Sequence, residues 1–371
     1  MKLKILHLSA AQNWGGGENH LENLCFELEK KDLVENHVLC VQNGILHKRL
    51  KKTGIPLYDA PLANKLDPRF MSRLLGVVKK HKFDLLHIHD STALTHTVMA
   101  DHLADLPPFI LSKKTSFPIR TRKQTLYKYN YPKVKKILCV SEATKTISDQ
   151  TINGGNRLEV IYHGTRTDNK ERKAPFLIHE KLKLPSETLL IGNIANHIEA
   201  KNLETFIMTA HWLKKEENTK LHFVQIGNFS KRTEQLKQLV NDLELEAYFS
   251  FLGYIPDASG LIPQFSAMLM TSEIEGIPQV IYESFYHGIP VVSTNVGGIP
   301  EVIQHKVNGL LAPAYDHIAL GENIRFLMQN PEVIPTFAEI SREKLYRECT
   351  SEIMAEKTYT EYKKVIYGKS L

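Results

Sequence analysis

The stretch AMLMTSEIEGIPQVIYESFYHGIPVVST, residues Ala267 to Thr294, reads as strand, loop, helix and strand. AMLMTS and PVVST are short apolar runs, and PQVIYESFYHG between them has the length and spacing of a helix that Gly288 ends. Two strands joined through a helix form a βαβ unit, so the strands run parallel. Pro278 suits the first helical position, where a missing N–H costs nothing. Three glutamates stand in this unit. Glu273 and Glu275 precede the helix, and Glu283 falls inside it. The five residues from Pro278 to Glu283 span roughly 7–8 Å along the axis at about 1.5 Å per residue. Between Glu275 and Glu283 the helix start offers free N–H groups and the positive end of its dipole. An anion such as a diphosphate fits there, with a carboxylate on each side to accept hydrogen bonds from hydroxyl groups. The competing reading places Glu283 on a solvated helix face.

The same alternation extends both ways along the chain. Upstream, TLLIGNIA, LHFVQIGN and YFSFLG read as strands, with NLETFIMTAHWLKKE and RTEQLKQLVNDLEL as helices. A first series holds KLKILHLSA, NHVLCVQ, FDLLHIHD, PFILSKK and VKKILCVS as strands, with ENHLENLCFELEKK and PRFMSRLLGVVKKH as helices. Strands this apolar predict parallel sheets covered on both faces. The pattern breaks near Gly164 at a charged, irregular stretch. The expectation is an α/β chain of two doubly wound, Rossmann-like domains facing a cleft. Residues 1–165 form the first domain, 166–186 a linker, 187–350 the second domain and 351–371 a terminal amphipathic helix. In such sheets ligands bind beyond the carboxyl ends of the strands.

The 371 residues suit two domains at roughly 100–200 residues each. The four cysteines show no CxxC, and Cys40 and Cys139 lie in strand-like runs. His37 and Cys40, three apart in a strand, point to opposite faces, so no zinc site is indicated. A reducing, cytoplasmic setting is expected. The first residues, MKLKILHLSAAQNWGG, read as a strand rather than a signal peptide, because the apolar run is short and broken by His7. No run approaches the roughly 18 apolar residues of a membrane span. The net charge of +6 is concentrated. Residues 113–136 carry nine basic and no acidic side chains, with Tyr127, Tyr129 and Tyr131 between them. This is either a solvated face or a surface for anionic lipid headgroups or a phosphate-bearing acceptor. No nucleic-acid module is present, so nucleic acid is not an expected partner.

Two further loops carry candidate chemistry. NWGGGEN removes every Cβ from Gly15 to Gly17, letting backbone N–H groups approach a ligand; a bare tight turn is the alternative. The spacing is not GxGxxG, and no acidic residue ends the second strand, which argues against a nicotinamide dinucleotide. NIANHIEAKN holds Lys201 near His197 and Asn196. That lysine either neutralises a diphosphate or is an ordinary surface lysine.

With these residues in place, SEIEGIPQVIYESFYHGIPVVSTNVGGIPEVI resembles the signature of glycosyltransferase family 4, retaining enzymes of GT-B fold. That family has two glutamates separated by seven residues, matched by Glu275 and Glu283 and not by Glu273. GGGEN, DLLHIH, ILCVSEATK, AKN and VQIGN resemble further family segments, so the likeness spans nearly the whole chain. The resemblance implies that Glu275 binds hydroxyls of the transferred sugar and Glu283 the nucleotide ribose. It implies a diphosphate held by Lys201 and the amides of Gly16 and Gly17. It also places Gly227, Gly276 and the amides of Ile277, Gln279 and Val280 around the donor, with the base near Tyr254 and Ile255. No cofactor or metal is implied, because positive charge and a helix dipole stabilise the leaving diphosphate. The implied partners are a nucleotide sugar and a carbohydrate or glycolipid acceptor in envelope polysaccharide assembly; the basic segment 113–136 separately suggests a peripheral place on the inner face of the membrane. Two departures stand out. Asn196 occupies the place of a family arginine, so His197 or a basic residue from the first domain is expected to substitute for the missing charge. LSKKTSFP replaces a family histidine, leaving His89, Lys113, Lys114, Thr115 and Ser116 as acceptor-side candidates. A metal-independent sugar-nucleotide epimerase and a non-catalytic scaffold of the same fold are the competing functions.

Overall fold

The computed structural model describes residues 2–32, 34–168, 174–215 and 220–368. The chain divides into two compact units. Unit 1 joins Met1–Arg166 to Thr350–Leu371, and unit 2 is Thr167–Cys349.

Unit 1 contains seven strands: β1 (Leu3–Leu8), β2 (Val34–Val41), β3 (Leu57–Ala60), β4 (Leu85–Ile88), β5 (Phe109–Lys113), β6 (Val134–Cys139) and β7 (Leu158–Val160). They form one sheet in the order β3-β2-β1-β4-β5-β6-β7, each neighbouring pair parallel. Unit 2 contains β8 (Leu189–Ile194), β9 (Leu221–Ile226), β10 (Phe249–Gly253), β11 (Ala267–Met270), β12 (Val291–Thr294) and β13 (Leu310–Ala312). Their order is β10-β9-β8-β11-β12-β13, again parallel throughout. Both orders reverse direction once, between β1 and β4 and between β8 and β11. Crossovers leave opposite faces at such a point, which opens a crevice beyond the strand ends. In unit 2 this rule selects the loops after β8 and β11. Lys201 is on the first and Glu275 on the second.

Burial explains why the strands are so apolar. Every residue of β4, β9, β11 and β12 is buried. Helices cover the sheets: Gly16–Lys30 and Ser351–Tyr367 in unit 1 bury Leu24, Leu28, Met354, Ala355 and Tyr362 in one cluster with Ile5 and Leu85. The chain's return to unit 1 is tight. A Cβ on Gly164 would stand 2.3 Å from the carbonyl oxygen of Thr350, and Ser351 N donates to Thr165 O at 2.9 Å. Ser351 Oγ then donates to buried Glu27 at 2.7 Å.

Two sequence readings need adjustment. The stretch 166–186, read as an irregular linker, includes 169–173, which lie outside the described residues. It also contains the helix Ile178–Leu182, whose Ile178 N donates to Gln264 Oε1 at 2.8 Å while Gln264 Nε2 donates to Phe176 O at 3.0 Å. One glutamine side chain thus fastens this segment to unit 2. Pro278 is not the first helical residue. Its ψ of 135° is extended, and the helix runs Gln279–His287, ending at Gly288 with φ 71°. Short, polar or irregularly spaced elements gave no readable signal, among them β3, β7 and β13. All four cysteines are buried free thiols. Among the described residues no helix is long and apolar enough to cross a membrane.

Candidate functional site

The site in unit 2 is built from two loops fastened to each other. After β8 the backbone turns through Glu199–Lys201 and enters a left-handed residue, Asn202, at φ 43°. The Thr271 hydroxyl, just beyond β11, donates to the carbonyls of Lys201 and Asn202 at 3.1 and 2.9 Å. Glu273 N donates to Ala200 O at 2.9 Å. With the loops fixed this way, Lys201 Nζ forms an ion pair with Glu275 Oε1, and Ser272 Oγ donates to the same oxygen at 2.7 Å. Glu275 is buried and Lys201 is half-buried, so the pair sits at the edge of the protein interior.

A third segment closes over Glu275. Gly297 has φ 54°, and a Cβ there would lie 1.9 Å from the Glu275 carbonyl oxygen. Gly298 N donates to Gly276 O at 2.9 Å, and Thr294 Oγ1 donates to Ser272 O at 2.6 Å. Only glycine admits this approach. Past Gly276 the helix Gln279–His287 starts on Pro278 without a side-chain cap. Its first amides, at Gln279 and Val280, stand at the positive end of the helix dipole, where an anion is favoured. Glu283, partly exposed, lies on the second turn of this helix. Glu273 is a tie rather than a ligand: its carboxylate hydrogen-bonds the Tyr315 hydroxyl and raises that group's pKa.

The remaining donor-side residues divide. Gly227 is indispensable to close packing, since a Cβ would meet Ala195 O at 1.9 Å. Tyr254 is exposed and Ile255 half-buried on the loop after β10. Asn196 Oδ1 accepts from the backbone and side-chain nitrogens of Asn228, both at 3.0 Å, so it braces two loops where a family arginine was expected.

His197 requires correction. It was expected to carry charge toward a phosphate, but it is buried between Phe229 and Phe251. Gln225 Nε2 donates to Ala195 O and Ile226 O, which leaves Gln225 Oε1 to accept from His197 Nε2 at 2.7 Å. His197 Nδ1 then accepts from Thr233 Oγ1 at 2.9 Å. Burial lowers its pKa. The imidazole is a neutral packing element, and its charge is not offered to a ligand.

In unit 1 the glycine turn begins the helix Gly16–Lys30. Gly15 is its N-cap, with no side-chain cap, so the amides of Gly16 and Gly17 precede the intrahelical ladder. Lys114 Nζ donates to Gly17 O at 2.8 Å. Burial pulls the Lys114 pKa down to about 8, against the opposing charges of Glu18 and Asp90. Lys113 and Ser116 correct the acceptor-side set. Lys113 is buried, bonding Thr115 O and, at 2.9 Å, Phe117 O, and Ser116 Oγ meets Thr144 Oγ1 at 3.0 Å in the interior. Both shape a loop from within, whereas Thr115 is exposed. His89 is buried beside His7, its Nε2 3.1 Å from His7 Nδ1.

The basic run of 113–136 is also partly internal. Lys128 is committed to Ser91 and Thr95, Lys133 to Asp101 and Leu106, and Lys136 to Asn156 O. Arg120, Arg122, Lys123 and Lys135 stay exposed, as does Phe117. Sequence reasoning passed over Thr271, Ser272, Gln225 and Gly297. Only the last had a signal, the paired glycines of NVGG.

Two units, each a parallel Rossmann-like sheet with one switch point, are the architecture of GT-B glycosyltransferases. Residues 176–344 match the family described as "Glycosyl transferases group 1" and residues 14–169 match "Glycosyltransferase Family 4". The chain belongs to this family. It is 24% identical to N-acetyl-alpha-D-glucosaminyl L-malate synthase of Bacillus anthracis, across 84% of this chain and 80% of that protein. It is 26% identical to the lipopolysaccharide core biosynthesis glycosyltransferase LpsD of Rhizobium meliloti, across 89% of each. Among solved structures, Anabaena Alr3699/HepE in complex with UDP and glucose superposes with a TM-score of 0.84 at 18% identity, covering 97% of this chain and 99% of that one.

Proposed function

We propose that this glycosyltransferase moves a sugar, with retention, from a nucleotide-diphosphate sugar to a carbohydrate or glycolipid acceptor of an envelope polysaccharide. The observation that carries the reading is the Lys201–Glu275 pair beside the uncapped start of the helix Gln279–His287. The diphosphate exchanges into the place of the Glu275 carboxylate on Lys201 and takes the Gln279 and Val280 amides. Glu275, released from Lys201, accepts hydrogen bonds from sugar hydroxyls, and Glu283 does the same for the ribose. The lysine and the helix dipole stabilise the charge that grows on the leaving phosphate, so the step needs no metal at this place. The leaving phosphate assists deprotonation of the acceptor hydroxyl on the same face of the sugar. Relatives named for lipopolysaccharide core and capsular polysaccharide synthesis support an envelope acceptor. A solved neighbour bound to UDP-glucose supports a nucleotide-sugar donor.

The chain works in the cytoplasm at an anionic membrane surface, through Arg120, Arg122 and Lys123 next to exposed Phe117. Thermal-shift screening against UDP-, GDP- and ADP-sugars identifies the donor, because a ligand that binds only the folded state raises its stability. Transfer to an envelope-extract acceptor is then assayed with the donor found. If no nucleotide sugar stabilises the chain and none is consumed, the reading fails.

A further inference from the structure

Unit 1 holds a chain of buried imidazoles outside the donor site. His7 on β1, His87 on β4 and His89 just after β4 are each no more than 4% exposed. One nitrogen from each lies within 4.8 Å of the others. Cross-strand register explains the convergence, since His7 and His87 are directly paired on neighbouring parallel strands.

The hydrogen-bond network fixes which nitrogens carry lone pairs. Asn36 Nδ2 donates to Cys25 O at 3.1 Å, so Asn36 Oδ1 faces His7 and accepts from its Nε2–H at 3.1 Å. His7 Nδ1 is therefore a bare lone pair. It lies 3.1 Å from His89 Nε2, which donates to it. His89 Nδ1 is left buried with no hydrogen-bond partner. That nitrogen is free to take up a proton from Nε2. His87 is held from both sides, Nδ1 by Tyr362 Oη at 2.5 Å and Nε2 by Ser112 Oγ at 2.8 Å.

We propose that His7, His87 and His89 form a nitrogen-only site for a divalent transition metal, His87 binding through Nε2 in place of its Ser112 contact, with Asn36 and Tyr362 as the outer hydrogen-bond partners. Two imidazole nitrogens bound tetrahedrally to zinc stand about 3.3 Å apart, close to the 3.1 Å between His7 Nδ1 and His89 Nε2. The Asn36 contact is the arrangement that orients a metal-bound histidine, its far N–H donated to an amide oxygen. On binding, the proton on His89 Nε2 moves to Nδ1, the nitrogen without a partner, so no proton is lost. His87 gives up one of its two contacts and keeps the other. Three imidazoles and no carboxylate suit zinc, copper or nickel over magnesium or calcium. Lys114 lies in the same region, its Nζ donating to Gly17 O at 2.8 Å, and its charge opposes a cation at the histidines while Glu18 and Asp90 act on it in the other sense. The site is structural: it ties β1 to β4 and, through Tyr362, to the returning helix. It is independent of the donor reading.

The test uses the untagged full chain, stripped with a chelator and titrated with Co²⁺. Visible ligand-field bands are expected, saturating at one metal per chain and displaced by Zn²⁺. Asn36→Ala should weaken binding by about 10- to 100-fold, and His7→Phe should abolish it. X-ray absorption on the loaded wild-type chain should count three imidazole ligands, which keeps the test decisive if the histidine variants do not fold. Absence of saturable binding, fewer than three imidazoles, or an unchanged titration in folded His7→Phe overturns the proposal.

Discussion

Lys201 and Glu275 neutralise each other across two loops that leave adjacent strands, β8 and β11, and Ser272 holds the same carboxylate oxygen. On the proposed function, a phosphate displaces Glu275 from Lys201. Glu275→Gln removes the competitor without removing the cation. We expect it to bind a nucleoside diphosphate at least as tightly as wild type while kcat falls about 10²- to 10³-fold. Lys201→Ala should lose diphosphate binding itself. Calorimetric titration alongside transfer kinetics separates the two, and full activity in both variants would remove this pair from the mechanism.

Gly297 is the lid on Glu275. A methyl group there meets backbone oxygen at 1.9 Å in a left-handed residue, and backbone cannot swing aside. Gly297→Ala should lower Tm by at least about 4 °C and abolish transfer. Gly76→Ala is the control. Gly76 sits exposed in the helix Pro68–Lys80, and a Cβ there meets nothing within 4 Å. Exchanging glycine for alanine in a helix interior gains up to about 1 kcal/mol, so its Tm should hold or rise. Equal losses in both variants would contradict the packing argument.

His197 is a core residue in a loop that looks catalytic. His197→Ala strands Gln225 Oε1 in the interior and takes the acceptor from the Thr233 hydroxyl, which keeps its bond from Ser230 N, costing about 1–3 kcal/mol in urea unfolding. Diphosphate affinity of the folded variant should stay within about threefold of wild type. A loss above tenfold, with the fold intact, would return the residue to the binding site.

The exposed residues of the basic run predict a salt-sensitive membrane contact. Reversing Arg120, Arg122 and Lys123 to Glu should weaken co-sedimentation with anionic vesicles at least about 100-fold, given roughly 1 kcal/mol per cation near the surface. Neutral vesicles should bind neither protein. Lys133→Ala, which breaks bonds to Asp101 and Leu106, should cost stability and leave vesicle binding alone. Indifference of the triple variant would end the idea.

The sequence by itself determined the two parallel α/β series, the family, and the spacing that sets Glu275 and Glu283 on either side of a helix start. These are local properties. Apolar runs, helical periodicity, and Gly288 with its positive φ act within a few residues of chain. What only the tertiary structure decided is which polar side chains face a ligand. In sequence, His197 stands nearer than Glu275 to Lys201, yet it turns into the core because Gln225, on the neighbouring strand, accepts its N–H. Lys113 and Lys114 are neighbours, but one stiffens its own loop while the other reaches the glycine turn. Gly297 matters because it lies against a backbone oxygen far back along the chain. Hydrogen-bond partners and close approaches join residues distant in sequence, and their identity exists only once the sheets have formed.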